Sequence, residues 1–250
     1  MKRKVGLALG GGGSRGFAHI GAIKALEEAN ISFDVIAGTS AGSIIGALLA
    51  NGLSSDDIFK IVKENKLTDF MKVKLPVDGF LSLDHLRDLL SKFIPKTFEE
   101  LSKPLYITVT NLLSGECEYI DKGELAMAVQ ASSSIPVLFS PVSMNNQIYV
   151  DGGLTNNVPI KPLMDTCDII IGIDIMPIEK ISTIKGMQEV ATRTFQLGIK
   201  SYTQTEKEAC TLLIELKNLS QYHLLDTSKA KEIYQIGYDY VKGLDLSILK

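Results

Sequence analysis

The chain has 250 residues, 45% of them hydrophobic and 22% charged, with a formal net charge of −3. That composition supports a sizeable core and excludes a disordered chain, and a slight negative charge without any long Lys/Arg block excludes a polyanion-binding arm, so no nucleic-acid partner is expected. Cys117, Cys167 and Cys210 are odd in number and share no ligand spacing, which argues against a disulfide framework or zinc site and for a reducing compartment.

The basic start Met1-Lys2-Arg3-Lys4 precedes too few apolar residues for a signal peptide. Val5 to Leu9 reads as a short buried strand that opens into Gly10-Gly11-Gly12-Gly13-Ser14-Arg15-Gly16, and Arg15 to Asn30 has helical periodicity through Phe17, Ile20, Ile23 and Leu26. A second strand, Phe33 to Ala37, runs into Gly38-Thr39-Ser40-Ala41-Gly42 and an apolar helix to Asn51. Its richest stretch, Ser43 to Ala50, is far shorter than the ~20 residues of a membrane span. A cytoplasmic protein is expected, with peripheral contact on the inner membrane face left open.

Ser54-Ser55-Asp56-Asp57 caps a helix to about Asn65, and Ser82 with Asp84 starts another to about Phe93. Between them Phe70, Met71, Val73, Leu75, Val77, Phe80 and Leu81 are interleaved with Lys66, Lys72 and Lys74. The stretch 66–81 reads as a lid, a membrane-surface contact or a packed connection. Leu105 to Leu112 and Glu116 to Ile120 read as an antiparallel hairpin across Ser114-Gly115. Ile148 to Val150 leads into Asp151-Gly152-Gly153, and Asp168 to Ile175 is the β-branched run of a strand buried on both faces. Helices at about 186–210 and 227–241 flank a last strand, Thr211 to Leu216. Strands alternating with helices predict one α/β domain over 1–250, three-layered α/β/α with a mostly parallel central sheet, its motifs within about 5–162 and a helical completion over about 182–250.

Three chemistries compete for the glycine turns. Gly11-x-Gly13-x-x-Gly16 between strand and helix fits a dinucleotide fingerprint with Asp34 as its ribose acid, although Asp34 stands near the beginning of its strand rather than the end. The nucleophile pattern G-x-S-x-G occurs twice, at Ser14 and Ser40. Ser40 has the small neighbours, the strand before and the apolar helix after that a nucleophile elbow needs, whereas Ser14 belongs to a loop of free N–H groups suited to an anion. A serine hydroxyl needs a base. His19, His85 and His223 are the histidines, and the order Ser40, Asp151, His223 formally allows an α/β-hydrolase triad; alternatively, a carboxylate on the Asp151 turn approaches the serine directly.

These motifs in this order resemble the patatin-like phospholipase family, in its small bacterial type. The resemblance rests on Gly11-Gly12-Gly13-Ser14-Arg15-Gly16, Gly38-Thr39-Ser40-Ala41-Gly42, Asp151-Gly152-Gly153 and a fourth element, Ala131-Ser132-Ser133-Ser134-Ile135-Pro136. It implies hydrolysis of a lipid acyl ester through an acyl-enzyme, with Ser40 as nucleophile, Asp151 as proton acceptor and the N–H groups of Gly11, Gly12 and Gly13 as oxyanion hole. It also implies no metal and no cofactor. Arg15 is expected either to fix the loop or to meet an anionic head group.

Overall fold

A computed structural model describes residues 3–64, 81–178, 180, 182–200 and 207–249. Its centre is an eight-stranded mixed sheet built on β1 (Val5–Leu9), β2 (Val35–Gly38), β3 (Leu105–Asn111), β7 (Ile169–Asp174) and β8 (Leu212–Glu215), which run parallel in the order β3-β2-β1-β7-β8. The remaining strands are antiparallel: β4 (Cys117–Ile120) and β6 (Gln147–Asp151) pair with β3, and β5 (Val142–Met144) pairs with β6.

The alternation of strand side chains divides the core. Leu7, Leu9, Ile36, Ile171 and Ile173 face one large apolar cluster with α1 (Phe17–Glu28), α2 (Ala41–Ala50), α3 (Ser55–Glu64), α4 (Asp84–Leu90) and α5 (Leu125–Ser132). Ala8, Val35, Ala37 and Ile170 face a smaller one, covered by Val158, Ile160 and Leu163 around the one-turn helix α6 (Lys161–Met164). The two helical layers are therefore very unequal. Two further helices, α7 (Gly186–Lys200) and α8 (Ala230–Lys242), follow β7 and β8.

Helix α8 crosses α1 with backbone almost touching backbone. A Cβ on Gly237 would stand 2.1 Å from Ala18 O, and one on Gly21 would stand 2.0 Å from Tyr234 O. The last helix thus shares the core of the first.

One feature of the topology positions the site. The Ile36 N–H donates to Pro104 O and the Leu112 N–H donates to Ile148 O, so even-numbered residues of this stretch bond both β2 and β6, whereas the Asn111 N–H turns the other way to Glu116 O before β4. Successive backbone groups of a strand point to opposite edges. Strands β2 and β6 therefore occupy the same edge of β3, running towards each other: β2 reaches Gly38 opposite Ile107, and β6 ends at Asp151 opposite Val109. Ser40 and Asp151, 111 positions apart in the numbering, are brought head to head by this arrangement.

The sequence predicts most of these elements within a few residues, including the antiparallel hairpin. It misses α5, whose apolar positions surround a helix mostly buried on every side, and it misses β5. Asn145 and Asn146 between β5 and β6 have φ of 52° and 61°, the left-handed pair of a two-residue hairpin turn. Apart from Leu81, which bridges Phe139, the expected lid or surface segment 66–81 lies outside the described residues.

Replacing Gly237 by Ala should force α8 off α1 and lower stability by about 1–3 kcal/mol, as overpacking of a tight contact does. A urea midpoint equal to that of the wild type would show that the helices separate without cost.

Candidate active site

Ser40 sits between β2 and α2 with φ 51° and ψ −120°, a strained conformation for a residue with a side chain. Close packing holds it there. A Cβ on Gly42 would lie 2.1 Å from Leu9 O and one on Gly38 would lie 2.5 Å from Gly42 O, so the turn is pressed against the end of β1. The Ser40 N–H donates to Ser132 Oγ (2.9 Å), and the Ser43 hydroxyl donates to Ser40 O (2.6 Å).

Asp151 is held on three sides. Its N–H donates to Ser134 O, its C=O accepts from Thr110 Oγ1 at 3.0 Å, and its Oδ1 accepts the Gly153 N–H at 2.8 Å. The C-terminal end of α5 and the residues just after it therefore brace both, Ser40 through Ser132 and Asp151 through Ser134. Oδ2 is buried and has no hydrogen bond of regular geometry. The Asp151 carboxyl is 1% exposed, and burial pushes its pKa up to about 7 against the opposing effects of the Ser40 hydroxyl and the Gly153 N–H. No cation among the described residues pairs with it.

The glycine loop lies over this pair. A Cβ on Gly11 would come 3.0 Å from Ser40 Cβ and 2.7 Å from Asn157 Oδ1, and one on Gly153 would come 2.9 Å from the same Oδ1. Asn157 thus touches both turns: its O accepts the Gly11 N–H at 3.3 Å and its Nδ2 donates to Gly11 O at 3.3 Å. Of the three expected oxyanion donors, Gly11 is turned to Asn157, while the N–H groups of Gly12 and Gly13 have no acceptor among the described residues. Gly13 has φ 55°, and a Cβ there would meet Leu224 O at 2.2 Å.

Ser14 and Arg15 fasten the loop to the strap 220–224. The Ser14 N–H donates to Leu224 O, the Ser14 hydroxyl to His223 O at 2.7 Å, Arg15 Nε to Tyr222 O at 3.0 Å and an Arg15 Nη to Ser220 O at 3.2 Å. Ser14 is wholly buried and its proton is committed to a carbonyl. That hydrogen bond separates the two G-x-S-x-G matches, since Ser40 is also buried but lines a cavity.

His19 is also buried, 2.7 Å from Gly10 O through Nε2, which must carry the proton because a carbonyl only accepts. Burial lowers its pKa to about 4, so the ring is neutral and holds the loop's first carbonyl. His85 and His223 are exposed. None of the three histidines hydrogen-bonds Ser40 or Asp151. The nucleotide reading loses its acid as well, since Asp34 Oδ2 accepts the Val5 N–H at the far end of the sheet from the glycine loop.

Ser40 opens into an apolar cavity lined by Ile44, Leu83, Leu86, Ile135, Phe139 and Leu225. Among the described residues no cluster of metal-ligating side chains occurs, and no helix is long and apolar enough to cross a membrane.

Residues 7–164 match the patatin-like phospholipase family. The chain belongs to that family. It is 28% identical over 272 residues to the lysophospholipase NTE1 of Kluyveromyces lactis, covering 94% of this chain and 19% of that protein. It is 30% identical over 274 residues to the lysophospholipase nte1 of Aspergillus niger, covering 96% and 18%. The chain thus spans about a fifth of the length of these relatives. The crystal structure of VipD from Legionella pneumophila shares its fold, with a TM-score of 0.55 and 16% identity over 96% of this chain and 66% of that one.

Sequence reasoning assigns no part to Asn157 and names Ser134 only within the fourth motif element; it reads His19, one turn into the first helix, as a packed or capping histidine rather than a base, and His19 is packed. The polar pair Asn156-Asn157 inside the apolar stretch Ile148–Ile160 is the signal that marks the first of these.

Asp151→Asn isolates the cost of the buried carboxyl. With a folded pKa of about 7 against an ordinary 3.8, the folded state holds more protons than the unfolded state between those values, so this group's contribution to stability falls as pH rises from about 4 to about 7. The melting temperature of Asp151→Asn minus that of the wild type should be near zero at the acid end and grow positive towards neutrality. A difference independent of pH would contradict the buried, unpaired carboxyl.

Proposed function

We propose that the protein is a serine lipid acyl hydrolase working through a Ser40–Asp151 dyad. The observation that carries this reading is the buried Asp151 carboxyl, with a pKa of about 7, beside the strained Ser40, neither of them hydrogen-bonded to a histidine. A base whose pKa lies near the working pH is suited to accept a hydroxyl proton and to return it.

In the proposed sequence Asp151 takes the Ser40 hydroxyl proton as Oγ attacks the acyl carbonyl. The tetrahedral oxyanion is held by the N–H groups of Gly12 and Gly13, with Gly11 shaping the loop through Asn157, and the oxyanion lies near the N-terminus of α2. As the intermediate collapses, the bond to the leaving alcohol breaks and Asp151 gives the alcohol its proton, leaving an acyl group on Ser40. Water then attacks that ester, Asp151 takes the water's proton and hands it to Ser40 Oγ as the acid departs. Arg15 and His19 act at a remove, by keeping the loop's N–H groups aimed at the cleft.

The apolar side chains lining the cavity beyond Ser40 supply the surroundings that an acyl chain requires. Together with the lysophospholipase names of the relatives, this makes a single-chain glycerophospholipid the first substrate to test.

Two outcomes are expected with 1-palmitoyl lysophosphatidylcholine. Fatty acid release should fall by about 10⁶-fold in Ser40→Ala, the scale of losing a nucleophile from a catalytic unit. For the wild type, kcat/KM should rise with pH with a midpoint near 7, as the carboxylate form of Asp151 is populated. Turnover that survives in folded Ser40→Ala, or a rate that declines through pH 7, would overturn the dyad.

A further inference from the structure

Helix α7 is an amphipathic helix that shows part of its apolar surface to solvent. Phe195 and Ile199 are buried, and Phe195 reaches the turn after Asp151, where a Cβ on Gly153 would stand 3.3 Å from its ring. Away from that face, Met187 is 81% exposed, Val190 51% and Leu197 51%, with Ile184 at 47% just before the helix. Their separations of three and seven residues keep Met187, Val190 and Leu197 on one stripe. Single exposed apolar side chains need no explanation, but four within fourteen positions of one element form a ridge.

Charge distinguishes this ridge from the rest of the chain. Residues 182–200 carry Lys185, Arg193 and Lys200 against Glu189 alone, three cations and one anion for a net of +2, in a chain whose net charge is −3. An apolar stripe flanked by cations is the composition of a helix that lies in an anionic lipid interface. Position completes the argument. Through Phe195 the helix sits beside the Asp151 turn, and a further exposed apolar residue, Val137 (63% exposed), stands between the cavity residues Ile135 and Phe139.

We propose that the exposed face of α7, through Ile184, Met187, Val190 and Leu197, docks the protein on an anionic lipid surface beside the active-site mouth. The stripe enters the acyl boundary while Lys185 and Arg193 stay at the level of the head groups. The choice of a lipid rests on the acyl hydrolase reading, but the docking is measured without turnover.

The test uses the full chain carrying Ser40→Ala, so that no lipid is consumed, sedimented with vesicles of phosphatidylcholine alone or phosphatidylcholine mixed with phosphatidylglycerol. Binding should require the anionic lipid, weaken with added salt and fall at least about tenfold when Met187, Val190 and Leu197 are all changed to Gln. In the otherwise wild-type chain the same triple change should leave the melting temperature and the hydrolysis of a short-chain, water-soluble ester unaltered. Vesicle binding unchanged by the triple substitution, or no binding to the anionic vesicles, overturns the docking face whatever the ester assay shows. A concentration-dependent dimer of the chain, abolished by the same substitutions, also overturns it and assigns the ridge to a second copy. Loss of ester hydrolysis in every protein, with anionic binding intact, counts against the acyl hydrolase reading and leaves the docking face standing.

Discussion

A carboxyl group shut away from water without a cation beside it is the constraint around which this fold is arranged. Charging such a group in a low-dielectric interior is costly, and proteins ordinarily avoid the cost by adding a cation or leaving the group at the surface. Here Asp151 is buried, its Oδ1 is satisfied by the next turn's N–H, its own backbone is tied to Ser134 and Thr110, Oδ2 is left without a hydrogen bond of regular geometry, and the Ser40 hydroxyl is close enough to act on the carboxyl. The elevated pKa follows from that placement. A carboxyl poised near neutrality is a usable proton acceptor, whereas one at its ordinary value would be too weak a base to assist a serine hydroxyl effectively.

The placement itself depends on strands of opposite direction sharing one edge. Strand β2 brings Ser40 to the middle of that edge from one side, and β6 brings Asp151 from the other. An all-parallel sheet would deliver both residues to the same end on separate strands. The mixed sheet instead sets two strand ends against each other, and the segment 132–134 clamps both. Over them the glycine loop is held from behind by His19, from the side by Asn157 and from above by the strap that Ser14 and Arg15 bind. Each of these contacts limits the loop's freedom.

Much of this was legible in the residues because strong local signals agreed with tertiary demands. Val5 to Leu9, the largely apolar α2 and the β-branched run at Ile169–Asp174 declare themselves by pattern, and Gly13, Gly38 and Gly42 are needed where neighbouring backbone approaches too closely for any side chain. Helix α5 was hidden because burial on most of its surface erases the amphipathic period, and β5 because three residues are too few for alternation to register. The role of Asn157 and the partner of the packed His19 were hidden for another reason. Their partners, Gly10 O and the Gly11 backbone, are main-chain atoms with no sequence signature, so neither periodicity nor motif spacing points to them. The choice between Ser14 and Ser40 was visible as a difference in flanking residues, and the structure supplies its cause: one hydroxyl is buried on a carbonyl, the other is strained and opens into the cavity.

Covalent trapping tests the central claim most directly. Reaction with a fluorophosphonate, followed by intact-protein and peptide mass spectrometry, should give a single adduct on Ser40, absent in Ser40→Ala and formed far more slowly in Asp151→Asn. An adduct on Ser14 or on a histidine, or an Asp151→Asn protein labelled as fast as the wild type, would contradict the account.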